Sequence, residues 1–333
     1  MWRYKEVLPV IHKHHIVTLG EGFTPILPLT NLKNLAGDNE VLWKDESGNP
    51  TGSFKARGIG AAVSKAKELG IDTIVTPTAG NAGGALAAYA ARAGVKAIVY
   101  MPMLTPKVFK DECHLYGAQL VEVDGNISDC GRLAHEHATA NGWFQVSTLK
   151  EPYRLEGKKT MGYEIAEQLN WQLPDVILYP TGGGTGLIGL WKAFDEMEQL
   201  GWISSHRPRM VAVQSASCDG IVKAFEGGEA SSQFVDGGFT IANGLRVPKP
   251  YADKLILKVL RESNGTALSV PDAMMSEALK EIARNEGMLI APEGAALWQA
   301  FKQLRAQRWI KPQEQVLLLN TGSGYKYLEN IDI

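Results

Sequence analysis

The 333-residue sequence lacks long apolar runs, and no stretch approaches the roughly 18 residues that a membrane-spanning helix needs. The first 22 residues, MWRYKEVLPVIHKHHIVTLGEG, are broken by charged side chains and by Pro9, so they match neither a secretory signal nor a transit peptide. We therefore expect a cytoplasmic protein without a membrane partner.

Basic clusters and closely spaced cysteines are also missing. Lysine and arginine number 34 against 36 acidic residues, and no basic run typical of nucleic-acid binding occurs, so a nucleic-acid partner is not expected. The three cysteines, Cys113, Cys130 and Cys218, lie too far apart for a metal knuckle, and their odd number argues against a disulfide framework. We expect them to be small buried apolar groups, and no metal site is predicted.

What the sequence does contain is an alternation of short apolar runs with longer helical patterns. The runs cover 73–78, 97–102, 118–124, 175–181, 209–214 and 315–322. Strands that alternate with helices form βαβ units, in which parallel sheets are covered by helices on both faces. The sequence therefore predicts an α/β protein.

The length of the chain predicts two domains, at roughly 150 residues for each domain. No linker rich in proline, glycine or serine divides the chain, so the two domains are expected to be interleaved. We predict a smaller α/β domain over 50–150 and a larger domain made of 1–49 plus 151–333.

Three turns that lead into predicted helices contain candidate functional residues. The first, NPTGSFKARG over 49–58, places Ser53 near a helix start and Lys55 in the first helical turn. A helix dipole contributes about 0.3–1 kcal/mol and lowers a lysine pKa by less than roughly one unit, whereas burial shifts it by up to about 3–5 units. By itself the pattern is more typical of a surface lysine than of a reactive amine.

The second turn is a loop of small residues, Thr78, Ala79, Gly80 and Asn81, that opens an alanine-rich helix at Ala82. Free backbone N–H groups at a helix start suit a carboxylate, and the Asn81 amide can bond a carbonyl or phenolic oxygen. A well-capped structural helix would explain the same residues.

The third turn is rich in glycine, since Gly182, Gly183, Gly184 and Gly186 follow a buried strand and precede a helix. The backbone amides of such a run can surround a phosphate. The spacing also contains G-x-G-x-x-G, but the next strand ends in Gln214 and not in the acidic residue that a dinucleotide site needs. We therefore predict phosphate binding at this loop.

The last strand ends in LLLNTGSGYKY, which brings the Thr321 hydroxyl to the sheet edge where we also expect the three turns. A lysine, a phosphate-binding loop, an amide loop and a hydroxyl at one edge match the needs of pyridoxal phosphate. The lysine can form an imine, the glycines can hold the phosphate, and the hydroxyl can bond the ring nitrogen.

The sequence resembles the threonine synthase family, within the fold-type II, tryptophan synthase beta-like enzymes that use pyridoxal phosphate. The resemblance covers nearly the whole chain and rests on EGFTPILPL, NPTGSFKARG, TAGNAGG, EPYRLEGKKT, PTGGGTGLIG, GLRVPKP, APEGAAL and NTGSGYKY, in this order. It implies two interleaved three-layer αβα domains with mainly parallel sheets, pyridoxal phosphate as cofactor, a small-molecule substrate and a homodimer.

The resemblance also implies roles for individual residues. Lys55 would be the catalytic Schiff-base lysine, Asn81 would bond the cofactor ring oxygen, and Thr321 would face the ring nitrogen. The residues implied to hold the cofactor phosphate are Gly182, Gly183, Gly184, Thr185 and Gly186. The residues implied to contact the substrate are Thr78, Ala79, Gly80, Asn81, Ala82 and Arg154.

In the family reaction, O-phosphohomoserine and water give threonine and phosphate. Arg154, in EPYRLEGKKT, is the residue implied to bind the substrate phosphate, and its bidentate guanidinium suits that role. Lys158 and Lys159 follow about one turn later and are expected on a solvated helix face. Arg246, in GLRVP, is a second candidate, either for phosphate or for a structural ion pair.

The sequence departs from the family pattern in three places, which leaves other functions open. Ala56 replaces an acidic residue, Ala79 stands where a hydroxyl often helps to bind the substrate carboxylate, and no N-terminal zinc knuckle is present. A threonine or serine dehydratase, or a phosphoserine-dependent β-replacement enzyme such as a cysteate synthase, would use the same cofactor. A nicotinamide dehydrogenase or a non-catalytic α/β binding protein would explain the glycine loop without Lys55.

Overall fold

The computed structural model describes residues 1–331. The strands are β1 (Ile26–Pro28), β2 (Glu40–Asp45), β3 (Thr73–Pro77), β4 (Lys96–Pro102), β5 (Gln119–Val123), β6 (Phe144–Gln145), β7 (Val176–Pro180), β8 (Arg209–Ser215), β9 (Thr266–Val270) and β10 (Gln315–Asn320). The helices are α1 (Lys33–Ala36), α2 (Lys55–Glu68), α3 (Ala82–Ala93), α4 (Lys107–Leu115), α5 (Ile127–Asn141), α6 (Tyr153–Gln168), α7 (Thr185–Gln199), α8 (Gly220–Glu226), α9 (Asp253–Glu262), α10 (Asp272–Glu286) and α11 (Pro292–Ala306).

The chain divides into two compact units, and each unit has its own sheet. Unit 1 comprises 1–23 and 49–160 and contains a parallel sheet with the strand order β5-β4-β3-β6. Its core includes Val75 of β3, Ile98 of β4 and Cys130 of α5. β-branched side chains favour these strands because they pack well on a pleated surface.

Unit 2 comprises 24–48 and the chain from 161 onward, with the strand order β1-β2-β10-β7-β8-β9. All neighbouring strands are parallel except β1 and β2, which are antiparallel. The side chains of 176–178 and 316–319 are completely buried. Such continuous apolar strands are expected where helices cover both faces of a parallel sheet.

The structure confirms the predicted α/β class and all six predicted strands. The runs at 73–78, 97–102, 118–124, 175–181, 209–214 and 315–322 correspond to β3, β4, β5, β7, β8 and β10. The three cysteines are buried, as expected, and form no disulfide within residues 1–331. Within residues 1–331, every helix is too short or too polar to span a bilayer. Strands β1, β2, β6 and β9 were not predicted, and two of them are only two or three residues long.

The N-terminal segment belongs to a different unit from the one that the sequence predicted. Residues 1–23 belong with 49–160 in unit 1, whereas the sequence assigned them to the larger domain. Hydrogen bonds to helix α2 explain this grouping. The Val17 amide donates to Ser64 Oγ at 2.8 Å, and Lys65 Nζ donates to the Pro9 carbonyl at 3.0 Å.

Two glycines allow helices α2 and α6 to pack closely within unit 1. A Cβ at Gly58 would lie 2.7 Å from the Arg154 carbonyl oxygen, and a Cβ at Gly157 would collide with the Arg57 carbonyl oxygen. The backbones of the two helices are therefore nearly in contact. As a result, side chains on the facing side of α6 are buried against α2.

We expect Gly157→Ala to destabilise the protein by about 1–3 kcal/mol, because the added methyl group has no space between the helices. Gly131→Ala, in the middle of helix α5, is the matched control, since its Cβ would meet no atom within 4 Å. The control should stabilise the protein by about 0.5–1 kcal/mol through helix propensity. Urea unfolding of both variants tests this, and equal free energies of unfolding would contradict the close packing.

Candidate active site

Lys55 is the first residue of helix α2, as the sequence predicted, and it follows a tight turn. Pro50–Gly52 form one turn of 3-10 helix, in which Thr51 and Gly52 have positive φ angles of 59° and 65°. The Lys55 side chain is half-buried, and its Nζ lies 4.0 Å from the centroid of the Phe54 ring. The turn therefore directs this amine over an aromatic face.

The residue two positions before Lys55 contributes an unsatisfied polar group. Ser53 is fully buried, and its Oγ has no hydrogen-bond partner in the described part of the chain. A buried polar group without a partner costs about 1–3 kcal/mol. A bound ligand with a suitable polar atom would remove this cost at the start of α2.

The loop from Thr78 to Asn81 joins strand β3 to helix α3. The Gly80 amide donates to Thr78 Oγ1 at 3.2 Å, which fixes the shape of the loop. Asn81 precedes the first helical residue, Ala82, and its side chain makes no capping bond to the helix. Asn81 therefore gives the helix no side-chain cap. The Gly83 amide donates to the Gly80 carbonyl at 3.0 Å, and the other N–H groups at the start of α3 suit an anion.

Arg154 lies in the first turn of α6, in unit 1. Its side chain is 2% exposed, Nη1 donates to the Val146 carbonyl at 2.7 Å, and Nε has no partner within residues 1–331. Glu151 Oε2 accepts the Arg154 amide at 3.0 Å, while Glu151 Oε1 has no partner there either. Burial raises the pKa of Glu151 despite the nearby guanidinium.

The prediction that Lys158 and Lys159 lie on a solvated face is wrong. Both side chains are buried, because the glycine contacts between α2 and α6 bring this face of α6 into the interior. Lys159 pairs with Glu156 at 2.5 Å. Burial and the positive charges of Arg154 and Lys55 hold the pKa of Lys158 well below the usual lysine value.

In unit 2, residues 182–186 join β7 to α7 and present mainly backbone. Gly184, with φ 71°, precedes the first residue of this 15-residue helix, Thr185. A Cβ at Gly186 would overlap the hydroxyl of Tyr179, so a side chain cannot be placed there without moving the loop. The N–H groups at the start of α7 are suited to a phosphate, as the sequence predicted.

Thr321 follows strand β10 and lies beside the glycine loop. Leu318 of β10 is opposite Leu178 of β7, so the same register places Thr321 at the level of Thr181, directly before the loop. The Thr321 side chain is buried. Unit 2 therefore brings the predicted phosphate-binding loop and the predicted hydroxyl together.

The expectation of one common sheet edge is wrong for the amide loop. Thr78–Asn81 follow β3 in the sheet of unit 1, whereas the glycine loop and Thr321 follow β7 and β10 in the sheet of unit 2. Within unit 1, β3 and β6 are parallel, so the amide loop shares its edge with the segment that leads to Arg154. Alternating runs predict strands but do not reveal which sheet a strand joins.

The sequence did not predict that Glu151 lies beside Arg154, nor that Lys158 is buried. Ser147 is another buried residue that it missed, with no partner for its Oγ in the described chain. The only sequence signal was the spacing of four residues between Arg154 and Lys158, which puts them on the same helix face. Arg246, the second phosphate candidate, is exposed and donates to the Gly237 carbonyl at 3.3 Å.

Comparison with known proteins identifies the family. The family described as pyridoxal-phosphate dependent enzyme matches residues 17–322. The chain belongs to this family. It is 36% identical over 327 residues to a threonine synthase of Methanocaldococcus jannaschii, covering 98% of this chain and 80% of that protein. It is 34% identical to a threonine synthase of Halalkalibacterium halodurans, covering 97% of this chain and 88% of that protein.

Solved structures show the same fold. A pyridoxal 5'-phosphate-dependent aspartate racemase is similar with a TM-score of 0.79 and 23% identity, covering 93% of this chain and 91% of that chain. A T.th. threonine deaminase is similar with a TM-score of 0.75 and 25% identity, covering 93% of each chain. The predicted fold-type II architecture and the predicted cofactor, pyridoxal phosphate, are therefore confirmed.

The groups present in the structure fit this cofactor. The glycine loop at the start of α7 offers backbone N–H groups to a phosphate, and packing leaves no space for side chains at Gly186. The start of α2 offers the Lys55 amine next to the unsatisfied Ser53 hydroxyl. A buried hydroxyl, on Thr321, lies beside the loop for a ring nitrogen.

We expect Gly186→Ala to weaken cofactor binding, because the new methyl group would push the loop away from the Tyr179 hydroxyl. Overpacking of about 1–3 kcal/mol corresponds to a loss of affinity of about 5–150-fold. Titration of the apoprotein with pyridoxal phosphate, followed by absorbance, measures the affinity. Gly238→Ala, whose Cβ would make an ordinary 3.6 Å contact with Ser217, is the control and should bind like the native protein. Equal affinity of both variants would argue against this loop as the phosphate site.

Proposed function

We propose that this chain is a threonine synthase that converts O-phosphohomoserine and water into threonine and phosphate. Two kinds of observation support this function. The chain is similar over nearly its whole length to proteins named threonine synthase, and unit 1 contains a buried guanidinium with an unsatisfied Nε. Arg154 carries the proposal, because a phosphorylated substrate supplies an anionic acceptor for the buried Nε, which has no partner within residues 1–331.

Each polar part of the cofactor has a proposed partner in the chain. Lys55 would bind its aldehyde carbon, Asn81 its ring oxygen, residues 182–186 its phosphate and Thr321 its ring nitrogen. The bound cofactor withdraws electrons from the substrate, which makes protons on Cα and Cβ easier to remove. A neutral hydroxyl at the ring nitrogen would keep this withdrawal milder than a carboxylate would, which favours elimination and replacement over transamination.

Substrate positioning is assigned to the loop at the start of α3. The N–H groups of Asn81 and Ala82 would bind the substrate carboxylate, since Ala79 provides no hydroxyl. The hydrogen bonds between Thr78 Oγ1 and Gly80 fix the shape of the loop around them. Lys55, placed at the first position of α2, would act as the base that moves the Cα and Cβ protons. A rigid loop and a fixed helix start keep both groups in place without a cost at the moment of reaction.

Arg154 separates this function from one of its two nearest alternatives, the dehydratases. A threonine or serine dehydratase removes a hydroxyl group and has no need of a buried guanidinium. A phosphoserine-dependent β-replacement enzyme does need one, so the distinction from that class rests on similarity to the threonine synthases. The proposed protein acts as a homodimer in the cytoplasm, as the family resemblance implies.

The test of the function is the release of phosphate and threonine from O-phosphohomoserine by the cofactor-loaded protein. O-phosphoserine, threonine and serine are offered in parallel, and the products are identified by mass. We expect threonine and phosphate from O-phosphohomoserine, and no turnover by Lys55→Ala, because that variant lacks the base. Formation of 2-oxo acids from the unphosphorylated amino acids alone would instead indicate a dehydratase, and a reaction of O-phosphoserine alone would indicate a β-replacement enzyme.

We expect Arg154→Gln to lower kcat/KM for O-phosphohomoserine about 10–150-fold, the loss of a charged hydrogen bond worth about 1.5–3 kcal/mol. Steady-state phosphate release measures this effect. Arg246→Gln is the comparison, since its guanidinium is exposed and it should change kcat/KM by less than about threefold. A larger loss in the Arg246 variant would assign the substrate phosphate to Arg246 and remove Arg154 from the site.

A further inference from the structure

Lys158 is a buried lysine one helical turn after Arg154 on α6. Its side chain is 2% exposed, and its Nζ lies 4.9 Å from the centroid of the Phe54 ring, which also lies next to the Lys55 amine. Across residues 1–331 Lys158 forms no ion pair, whereas Lys159 pairs with Glu156. Lys158 is therefore buried beside the proposed reactive amine without a direct ion-pair partner in the described chain.

The charged groups that act on Lys158 come from three segments of unit 1. Lys55 of α2 and Arg154 of α6 are positive, and Glu151, in the segment before α6, is negative. Burial has the largest effect on the pKa of Lys158, and the two cations lower that pKa further. The amine is therefore neutral more readily than an ordinary lysine, until an anion is placed beside it.

The negative charge of Glu151 offsets part of the positive charge of Arg154 and Lys158, and this makes the binding of a dianion beside these three side chains less favourable. Its Oε2 accepts the Arg154 amide, its Oε1 has no partner in the described chain, and the side chain is buried. When Glu151 is ionised and Lys158 is neutral, the charge of Arg154 is offset and the three side chains have no net charge. A phosphate ester carries about two negative charges at neutral pH. Its binding here is therefore favoured if the cluster takes up a proton at the same time.

The proposed reaction also requires a proton at the leaving group. When the bond between Cγ and the phosphate oxygen breaks, both bonding electrons stay on the oxygen, and phosphate without a proton would carry three negative charges. Such an anion is a strong base and a poor leaving group. Lys55 is the base that accepts the Cβ proton in the same step, so another group must act as the acid.

We propose that Lys158 takes up a proton when the substrate phosphate binds, and donates that proton to the phosphate oxygen as its bond to Cγ breaks. The electron pair of the Cβ–H bond forms the new carbon–carbon double bond, and Lys55 keeps the Cβ proton. Phosphate leaves with two negative charges, and Lys158 returns to the neutral amine. This inference rests on the proposed function, because it needs a phosphorylated substrate.

Proton uptake can be measured by calorimetric titration of the cofactor-loaded protein with sulfate, which stays doubly charged throughout the neutral pH range. Repeating the titration in two buffers of different ionisation enthalpy gives the number of protons taken up. We expect about one proton per sulfate and an affinity that falls about tenfold per pH unit at pH values above the pKa of the free Lys158 amine and below its pKa in the sulfate complex, the slope for one linked proton. Sulfate binding without proton uptake, or no sulfate binding, would overturn the proposal.

Variants of Lys158 identify the group that takes up the proton. Lys158→Arg is permanently charged and should bind sulfate without proton uptake. Lys158→Gln should bind sulfate more weakly, also without uptake. Lys150→Gln is the matched control, because it removes an exposed cation from the same segment and should still take up one proton. Uptake of a proton by Lys158→Arg would show that another group, such as Glu151, is responsible and would refute the role of Lys158.

A comparison of two leaving groups tests the acid role. The sulfate ester of homoserine releases a stable dianion that needs no proton, whereas the phosphate ester does need one. Lys158→Gln should lower kcat for the phosphate ester about 10²–10⁴-fold, the usual contribution of an acid, and lower kcat for the sulfate ester much less. Equal losses with both esters would mean a structural role and overturn the proposal. The calorimetric test of proton uptake uses inorganic sulfate, so it does not depend on whether the native protein turns over the sulfate ester.

Failure of the proposed function has a different signature. The native protein would then release no phosphate from O-phosphohomoserine, whatever the titration with sulfate shows. If the native protein makes threonine and Lys158→Gln loses equal activity with both esters, only the role of Lys158 fails.

Discussion

The close approach of helices α2 and α6 is the constraint on which the chemistry of unit 1 depends. The approach requires glycine at two positions, Gly58 and Gly157, where any side chain would meet the backbone of the other helix. Because the helices are so close, the face of α6 with Arg154 and Lys158 is buried beside the start of α2. One steric condition therefore buries both Arg154 and Lys158 and places Lys158 beside the proposed catalytic lysine.

Burying a cation costs free energy unless hydrogen-bond or ion-pair partners replace the lost water. The chain contains one buried lysine with such partners and one without a comparable set. Lys44, in unit 2, is fully buried and satisfied, since it bonds Glu164 at 3.1 Å, Gln168 Oε1 at 2.8 Å and the Thr24 carbonyl at 2.7 Å. That arrangement is typical of a structural lysine. Lys158 has no comparable set of partners within residues 1–331, and its low pKa reflects this. The contrast within one chain is what distinguishes a structural buried lysine from one available to a ligand.

The sequence predicted those features that depend on local pattern. Buried parallel strands are continuous apolar runs, so β7 and β10 were evident, whereas β6 has only two residues and gave no signal. The glycine loop before α7 and the position of Lys55 at a helix start were predicted from turns with a recognisable composition, whereas the catalytic role of Lys55 was implied only by the family resemblance. The burial of Lys158 was not predicted, because it depends on which face of α6 packs against a helix about a hundred residues earlier in the chain. A single sequence does not contain that pairing.

The two phosphate groups of the proposed reaction need different kinds of binding site, and each unit contains a candidate for one of them. The cofactor phosphate must stay, and backbone N–H groups at the start of α7 suit it because they carry no exchangeable charge and hold a fixed geometry. The substrate phosphate must arrive, leave and change its protonation. Side chains that titrate, such as Lys158 beside Glu151, can follow that change, whereas backbone dipoles cannot. Backbone groups therefore suit the cofactor phosphate, whose bonds stay intact, and titratable side chains suit the substrate phosphate, whose bond to carbon breaks.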